Sequence, residues 1–346
     1  MPPTFILSIG TNKRCFSILA RVFDQVLRLF PMHRPEINLF RHPTTTVYVD
    51  DSSAFLYSIS LGVDHQPFRT FSDPFAGLDY IEQFSQSYDE NPQSDANQSS
   101  DGRLGYILRN LAVQKLQDQQ RFAEPSVLVV DYSMPQLNGL DLCSRITNPY
   151  VKKVLLTGVA EEKIAIKALN TELIDFYISK SESSLSQELT RIISHLRERY
   201  FQNIYGWTRD IYLRHQFPYL YDSQFADYFE DVMERLNIVE YYPIDDPWGF
   251  LLVDADGKKF AMEIREIESK SEPKTKSKSK KKSAADALEP QVVKLHAANK
   301  SYHCAILANA VAFENLTVKP FSHYQEGPGL NIITTRFSRD PKNHEN

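Results

Sequence analysis

Between Thr44 and Asn203 five short runs rich in β-branched and aromatic residues recur, each followed by a helical or loop stretch. They are residues 45–49 (TTVYV), 67–71 (PFRTF), 126–130 (SVLVV), 153–156 (KVLL) and 174–178 (IDFYI). Such alternation leaves a chain few choices. Successive strands joined through helices run parallel, and a parallel sheet must be covered on both faces. The expectation is an α/β fold, a doubly wound five-stranded parallel sheet, over residues 44–203. One stretch interrupts the pattern. Residues 85–102 are polar and lack a periodic apolar face, so they read as a loop. They lead into a helix in which Leu104, Ile107, Leu108, Leu111, Ala112 and Leu116 share one side. This insert, residues 85–122, is expected to pack on the domain or on a partner.

Carboxylates end two of the strands: Asp50 and Asp51 follow TTVYV, and Asp131 follows SVLVV. In a doubly wound sheet the carboxyl ends of the strands form the ligand crevice. Three carboxylates gathered there repel one another unless a divalent cation sits among them, and hard oxygen ligands suit Mg²⁺. A cation also offsets the charge of an incoming phosphoryl group, the main need of phosphoryl transfer. One carboxylate is then free to act as a nucleophile and form an acyl phosphate. Thr157 ends the fourth strand with a hydroxyl for a phosphoryl oxygen, and Lys180 follows the fifth with a cation for it. Taken singly, a strand-end aspartate caps a turn and a strand-end lysine is solvated. The ordered set of five argues against those readings.

The runs DDSSAFL, VVDYSMPQLNGLDL, LLTG and YISK together resemble the receiver domain of two-component response regulators, over about half the chain. The resemblance implies a flavodoxin-like fold with Asp131 as phosphoacceptor. Asp50, Asp51, Asp131 and the backbone carbonyl of Ser133 would hold Mg²⁺. Met134, Pro135 and Gly139 match the loop after the acceptor. Thr157 and Tyr177 match a switch pair, in which the hydroxyl moves to the phosphate and the ring turns inward. The donor would be a sensor histidine kinase or a phosphotransfer protein. Ser181 stands where most receivers have proline, and the insert is unusual; neither removes a catalytic residue.

Beyond Asn203 a helix (residues 219–236) precedes three expected strands, in residues 237–244, 249–255 and 258–266, joined by Asp-Pro and Asp-Gly turns. This reads as an α+β output domain, 204–346, with an antiparallel meander. The lysine-rich run 269–283 reads as a disordered linker within it. Residues 237–257 resemble a segment found after receivers in a group of bacterial regulators. The layout of a receiver followed by this unusual output resembles that of orphan response regulators of quorum-sensing systems, which implies kinases sensing a small diffusible signal, with control of virulence, motility and growth-phase switching. No helix-turn-helix, cyclic-dinucleotide enzyme core, paired His-Asp metal motif or P-loop is recognised, so the expected output is non-enzymatic. The alternative is a nucleotide- or nucleic-acid-binding output, with Tyr241, Tyr242, Trp248, Phe250 and Phe260 as stacking surfaces; such residues are more often core. Asp254, Asp256 and Gly257 look like a calcium loop, but a hairpin turn is the expectation. His303 and Cys304 lack a metal spacing, and residues 326–329 read as a plain loop.

The net charge of −5 gives no global pull toward nucleic acid or anionic membrane. Three scattered cysteines suit a reducing cytoplasm, and no apolar run is long enough to span a bilayer. Residues 1–43 form an extension with an apolar helix at 15–30, broken up too often by charge to be a signal peptide. On it Phe16, Leu19, Phe23, Leu27 and Phe30 share one face and leave only a narrow polar stripe, which makes this helix the candidate homodimer contact.

Overall fold

Residues of the parallel strands alternate between two covered faces, so the central strands carry apolar residues at successive positions, as in residues 47–49 and 127–130, rather than at every second one. The computed structural model describes residues 37–62, 67–85, 101–158, 161–205, 218–245, 248–267, 293–297, 300–307, 318, 320–321 and 330–331. The expected apolar helix at 15–30 with its dimer face, the lysine run and the loop at 326–329 lie outside them.

The first sheet contains β1 (Thr45–Val49), β2 (Phe68–Phe71), β3 (Pro125–Asp131), β4 (Lys152–Thr157) and β5 (Phe176–Ser179). Its order is β2-β1-β3-β4-β5, all parallel, as the doubly wound expectation requires. The two-residue β11 (Leu330–Asn331) adds antiparallel to the outer edge of β2. On one face Tyr48, Val127, Val129, Val154 and Leu156 pack with α1 (Ser53–Gly62) and α6 (Leu185–Ile204). On the other, Val47, Val49, Leu128, Val130 and Leu155 pack with α2 (Pro74–Glu82), α4 (Gly139–Arg145) and α5 (Glu162–Asn170). Local chemistry starts the helices. Asp73 caps α2 by accepting from the Phe75 N–H, with Pro74 at the first helical position, and Asn138 caps α4 through the Asp141 N–H.

The second sheet is antiparallel, in the order β6-β7-β8-β10-β9. Its strands are β6 (Ile238–Asp245), β7 (Trp248–Asp254), β8 (Lys259–Glu266), β9 (Val293–Ala297) and β10 (Lys300–Leu307). The meander expected from sequence is β6–β7–β8; β10 and β9 extend it from beyond the lysine run. The Asp254–Gly257 stretch is the turn of the β7–β8 hairpin. The Asp254 carboxylate accepts from the Asp256 and Lys258 N–H groups, and Gly257 takes a positive φ of 81°. Helix α7 (Ser223–Arg235), capped by Asp222, buries Phe225, Phe229 and Val232 in this core.

The insert helix α3 (Asp101–Gln117) belongs to the same core: Leu108, Ala112 and Leu116 are buried there, beside Ile37, Leu39 and Phe40. A short 3₁₀ turn (Arg121–Ala123) then returns the chain to β3. The outer edge of β6 is closed by the Arg41–Tyr241 backbone pair, whose N–H···O distances are 3.0 and 2.9 Å.

Polar groups are buried where the two halves meet. Arg121 donates to both Glu240 oxygens, at 2.8 and 2.9 Å, and Tyr242 donates to Glu240 at 2.8 Å. Glu124 accepts from Lys115 at 2.5 Å and from the Tyr200 hydroxyl, with His42 Nε2 at 3.7 Å. Burial pushes the His42 imidazole down to about 4, against the pull of Glu124 and with the help of the Lys115 charge. Burial would raise Glu124, but Lys115, His42 and Tyr200 override it and hold the carboxyl down at about 2. Among the described residues, no helix is long and apolar enough to cross a membrane.

Candidate functional site

Asp50, Asp51 and Asp131 come together at the carboxyl edge of the first sheet, because β1 and β3 are adjacent and in register up to Val49 and Val130. One oxygen from each of the three lies within 4.8 Å of the others. Asp50 and Asp131 are buried while Asp51 is exposed, which leaves the cluster open on one side.

Lys180 enters from the end of β5. Its Nζ lies 2.6 Å from Asp50 and 2.9 Å from Asp131, and 4.7 Å from the Phe55 ring. Burial would lower this lysine, but its hydrogen bonds and charge contacts with Asp50 and Asp131 hold it above the ordinary value. Burial raises Asp50, opposed by Lys180 and the Ser52 N–H and reinforced by the Asp131 charge. One ammonium against three carboxylates leaves excess negative charge, and the donors are all hard oxygens. The residues present therefore fit a small divalent cation such as Mg²⁺.

The neighbouring loops are held by the backbone. Tyr132 N–H donates to the Leu156 carbonyl at 2.9 Å, and Gly139 N–H donates to the Tyr132 carbonyl at 3.0 Å. Gly139 has no alternative: a Cβ there would stand 2.3 Å from the Asp131 carbonyl oxygen and 3.0 Å from Leu155 Cδ1. Met134 is buried beneath this loop. Thr157 is buried at the end of β4, and its carbonyl accepts from the Lys180 N–H at 2.9 Å. Tyr177 is half-buried on the edge strand β5, opposite Leu155 and on the face that carries α5. Ser133 is exposed, with its hydroxyl donating to Glu161 at 3.1 Å.

Sequence reasoning passed over Glu161, whose carboxylate also accepts the Gly158 N–H. An isolated glutamate after a loop carries no signal of this, since its two partners come from different loops. Tyr241, Tyr242, Phe250 and Phe260 are buried in the second core and offer no stacking platform.

No protein-family model and no curated protein matches this chain. Among solved structures it is similar to the Legionella pneumophila response regulator LqsR, with 26% identity and a TM-score of 0.58. That match covers 80% of this chain and 90% of the other. A receiver domain protein from Clostridium thermocellum is 21% identical, covering 45% of this chain and 95% of its own, at a TM-score of 0.30. A CheY-like receiver domain protein from Methanospirillum hungatei is 16% identical, covering 46% and 98%, at a TM-score of 0.31. The β1–β5 sheet with its helices has the receiver fold of response regulators, and the likeness to LqsR runs on through the second sheet.

Proposed function

We propose that this chain is a phosphorylation-dependent response regulator that accepts a phosphoryl group on Asp131. The observation that carries the reading is the Lys180 ammonium bridging Asp50 and Asp131, with Asp51 in reach, at the carboxyl edge of a receiver sheet. A carboxylate oxygen of Asp131 attacks the phosphorus of a phosphohistidine on a kinase or phosphotransfer protein. The P–O bond forms as the P–N bond breaks, and the imidazole nitrogen keeps the electron pair. Asp50, Asp51, Asp131 and the Ser133 carbonyl would hold Mg²⁺, which when bound would offset the charge that gathers on the transferred group. Lys180 pairs with the phosphoryl oxygens, and the Thr157 hydroxyl donates a hydrogen bond to one of them. Tyr177 then turns into the space beside Thr157, changing the face it shares with α5.

The division of labour follows: residues 44–203 receive the signal, residues 204–346 deliver it, and residues 1–43 are an N-terminal extension whose Ile37, Leu39 and Phe40 join the second core. The output works through protein contacts or through dimerisation by the helix carrying Phe16, Leu19, Phe23, Leu27 and Phe30. The layout of a receiver followed by this output supports a quorum-sensing pathway, and the chain works in the cytoplasm. The test is intact-mass labelling with Mg²⁺ and a small acyl phosphate. Wild type should gain one hydroxylamine-labile phosphoryl group and Asp131→Asn none; equal labelling of the variant removes Asp131 as acceptor.

A further inference from the structure

Glu161 stands at the mouth of the same pocket but outside the set of residues that bind or receive. Its carboxylate joins two loops: Oε2 accepts the Gly158 N–H at the end of β4, and Oε1 accepts the Ser133 hydroxyl at 3.1 Å from the loop after β3. Both loops flank Asp131. Tyr132 is tied to Leu156, and Gly158 directly follows Thr157, whose carbonyl is tied to Lys180. The donors that Glu161 holds therefore lie on the two loops that border Asp131. Part of the contact is local, since the Glu161 N–H returns a 3.3 Å bond to the Gly158 carbonyl and closes a turn before α5. A turn alone does not need the Ser133 contact, which crosses 28 positions of sequence.

We propose that the Glu161 carboxylate is a resident anion that keeps the Gly158 N–H and the Ser133 hydroxyl occupied until a phosphoryl group on Asp131 displaces it. The proposal rests on Asp131 being the acceptor. A phosphoryl group brings about −1.5 to −2 charges and three strong acceptor oxygens. Two anions do not share one pair of donors beside three aspartates, so Glu161 must let go. Its release frees the first turn of α5, the helix packed on the Tyr177 face. The resting contact thereby sets how readily the pocket fills.

The test compares full-length wild type, Glu161→Gln and Glu161→Ala. Each is titrated with beryllofluoride in the presence of Mg²⁺ and labelled with a limiting small acyl phosphate. With the competing carboxylate gone, both variants should bind beryllofluoride about fivefold more tightly, the lower end of a typical coupling between two ligands. Both should also reach a higher labelled fraction, with the alanine variant at least equal to the glutamine one. A merely structural glutamate predicts the opposite order: the alanine variant impaired by a loosened turn, and the glutamine variant restored. That order, or affinities equal to wild type, overturns the proposal. If wild type itself takes neither label nor beryllofluoride, the acceptor assignment fails, and the proposal falls with it for a distinguishable reason.

Discussion

Glu240→Ala tests how the two halves are joined. Glu240 and Arg121 side chains are both 0% exposed. Glu240 takes two charge-assisted bonds from Arg121 and one from the Tyr242 hydroxyl. Burial would lower the guanidinium, but these bonds and the Glu240 charge hold it above its ordinary value. Removing the carboxylate takes two charge-assisted bonds from a buried cation, which keeps its bond to the Asp118 carbonyl at 3.0 Å and its stacking on Phe122. Breaking one side of a buried pair costs about 3–5 kcal/mol, a large share of a typical stability of about 5–15 kcal/mol. Arg121→Met should cost a similar amount, because it leaves Glu240 buried with Tyr242. The double variant, Arg121→Met with Glu240→Leu, should recover most of either loss, since a well-packed apolar pair is about as stable as a buried ionic one. Urea unfolding at pH 7 of the four proteins closes the cycle, giving a coupling of several kcal/mol. Single variants that each lose under about 1 kcal/mol, or losses that simply add, would refute the buried bridge and the docking it implies.

Acid should weaken the same junction. Both groups have folded values below their unfolded ones, so each contributes stability at higher pH and loses it on acidification. The His42 contribution is complete above 6.5 and lost as pH falls to about 4; that of Glu124 is lost between 4.5 and about 2. Melting temperature against pH should fall below 6.5 in wild type and less steeply in His42→Phe; a flat wild-type curve from 6.5 to 5 would count against this. Leu108→Ala should cost about 2–5 kcal/mol by urea unfolding although it lies in the insert, because its side chain is fully buried in the second core. Gly139→Ala should cost about 1–3 kcal/mol and slow labelling of Asp131, since the new methyl meets the Asp131 carbonyl; unchanged labelling kinetics would show that the loop yields.

The parallel sheet was legible because a strand buried on both faces is an unbroken apolar run, and Val47, Tyr48 and Val49 have no other use. The acidic pocket was legible for a related reason: strand ends converge in space, so Asp50, Asp131 and Lys180 meet once the strand order is known. The second half yielded less. The three strands β6–β8 follow one another through short turns, whereas the β9–β10 hairpin arrives from beyond a long lysine run and joins β8 through β10, skipping β9. The face of α3 could be read, but not what covers it, since amphipathicity names a buried side and not its neighbour. Least visible was the polar junction. His42, Arg121, Glu124 and Glu240 are ordinary charged or titratable residues, scattered over 199 positions, and only the folded chain reveals that they are desolvated together.

The placement of that junction constrains how a signal leaves the pocket. Asp131 ends β3, while Glu124 and Arg121 lie just before it, so one strand of seven residues, about 23 Å long, separates the proposed acceptor from the junction. Helix α6 makes the same journey. It begins five residues after Lys180, and across its 20 residues, about 30 Å, it reaches Tyr200, which donates to Glu124. Phe201 meets the His42 ring at 5.2 Å, and Tyr205, just past the helix end, stacks on Phe40 at 4.1 Å, inside the second core. A strand at the centre of a sheet cannot shift without breaking its ladders on both sides, and β3 is paired to β1 and β4 along its length. Helix α6 packs through side chains alone, and packed helices slide by about 1–2 Å at modest cost. The residues just before α6, Ser183 and Ser184, are exposed next to the loop that carries Lys180. If Asp131 is phosphorylated as proposed, movement of Lys180 toward the phosphoryl group reaches the second sheet most cheaply as a small displacement of α6, read out at Tyr200 and Tyr205.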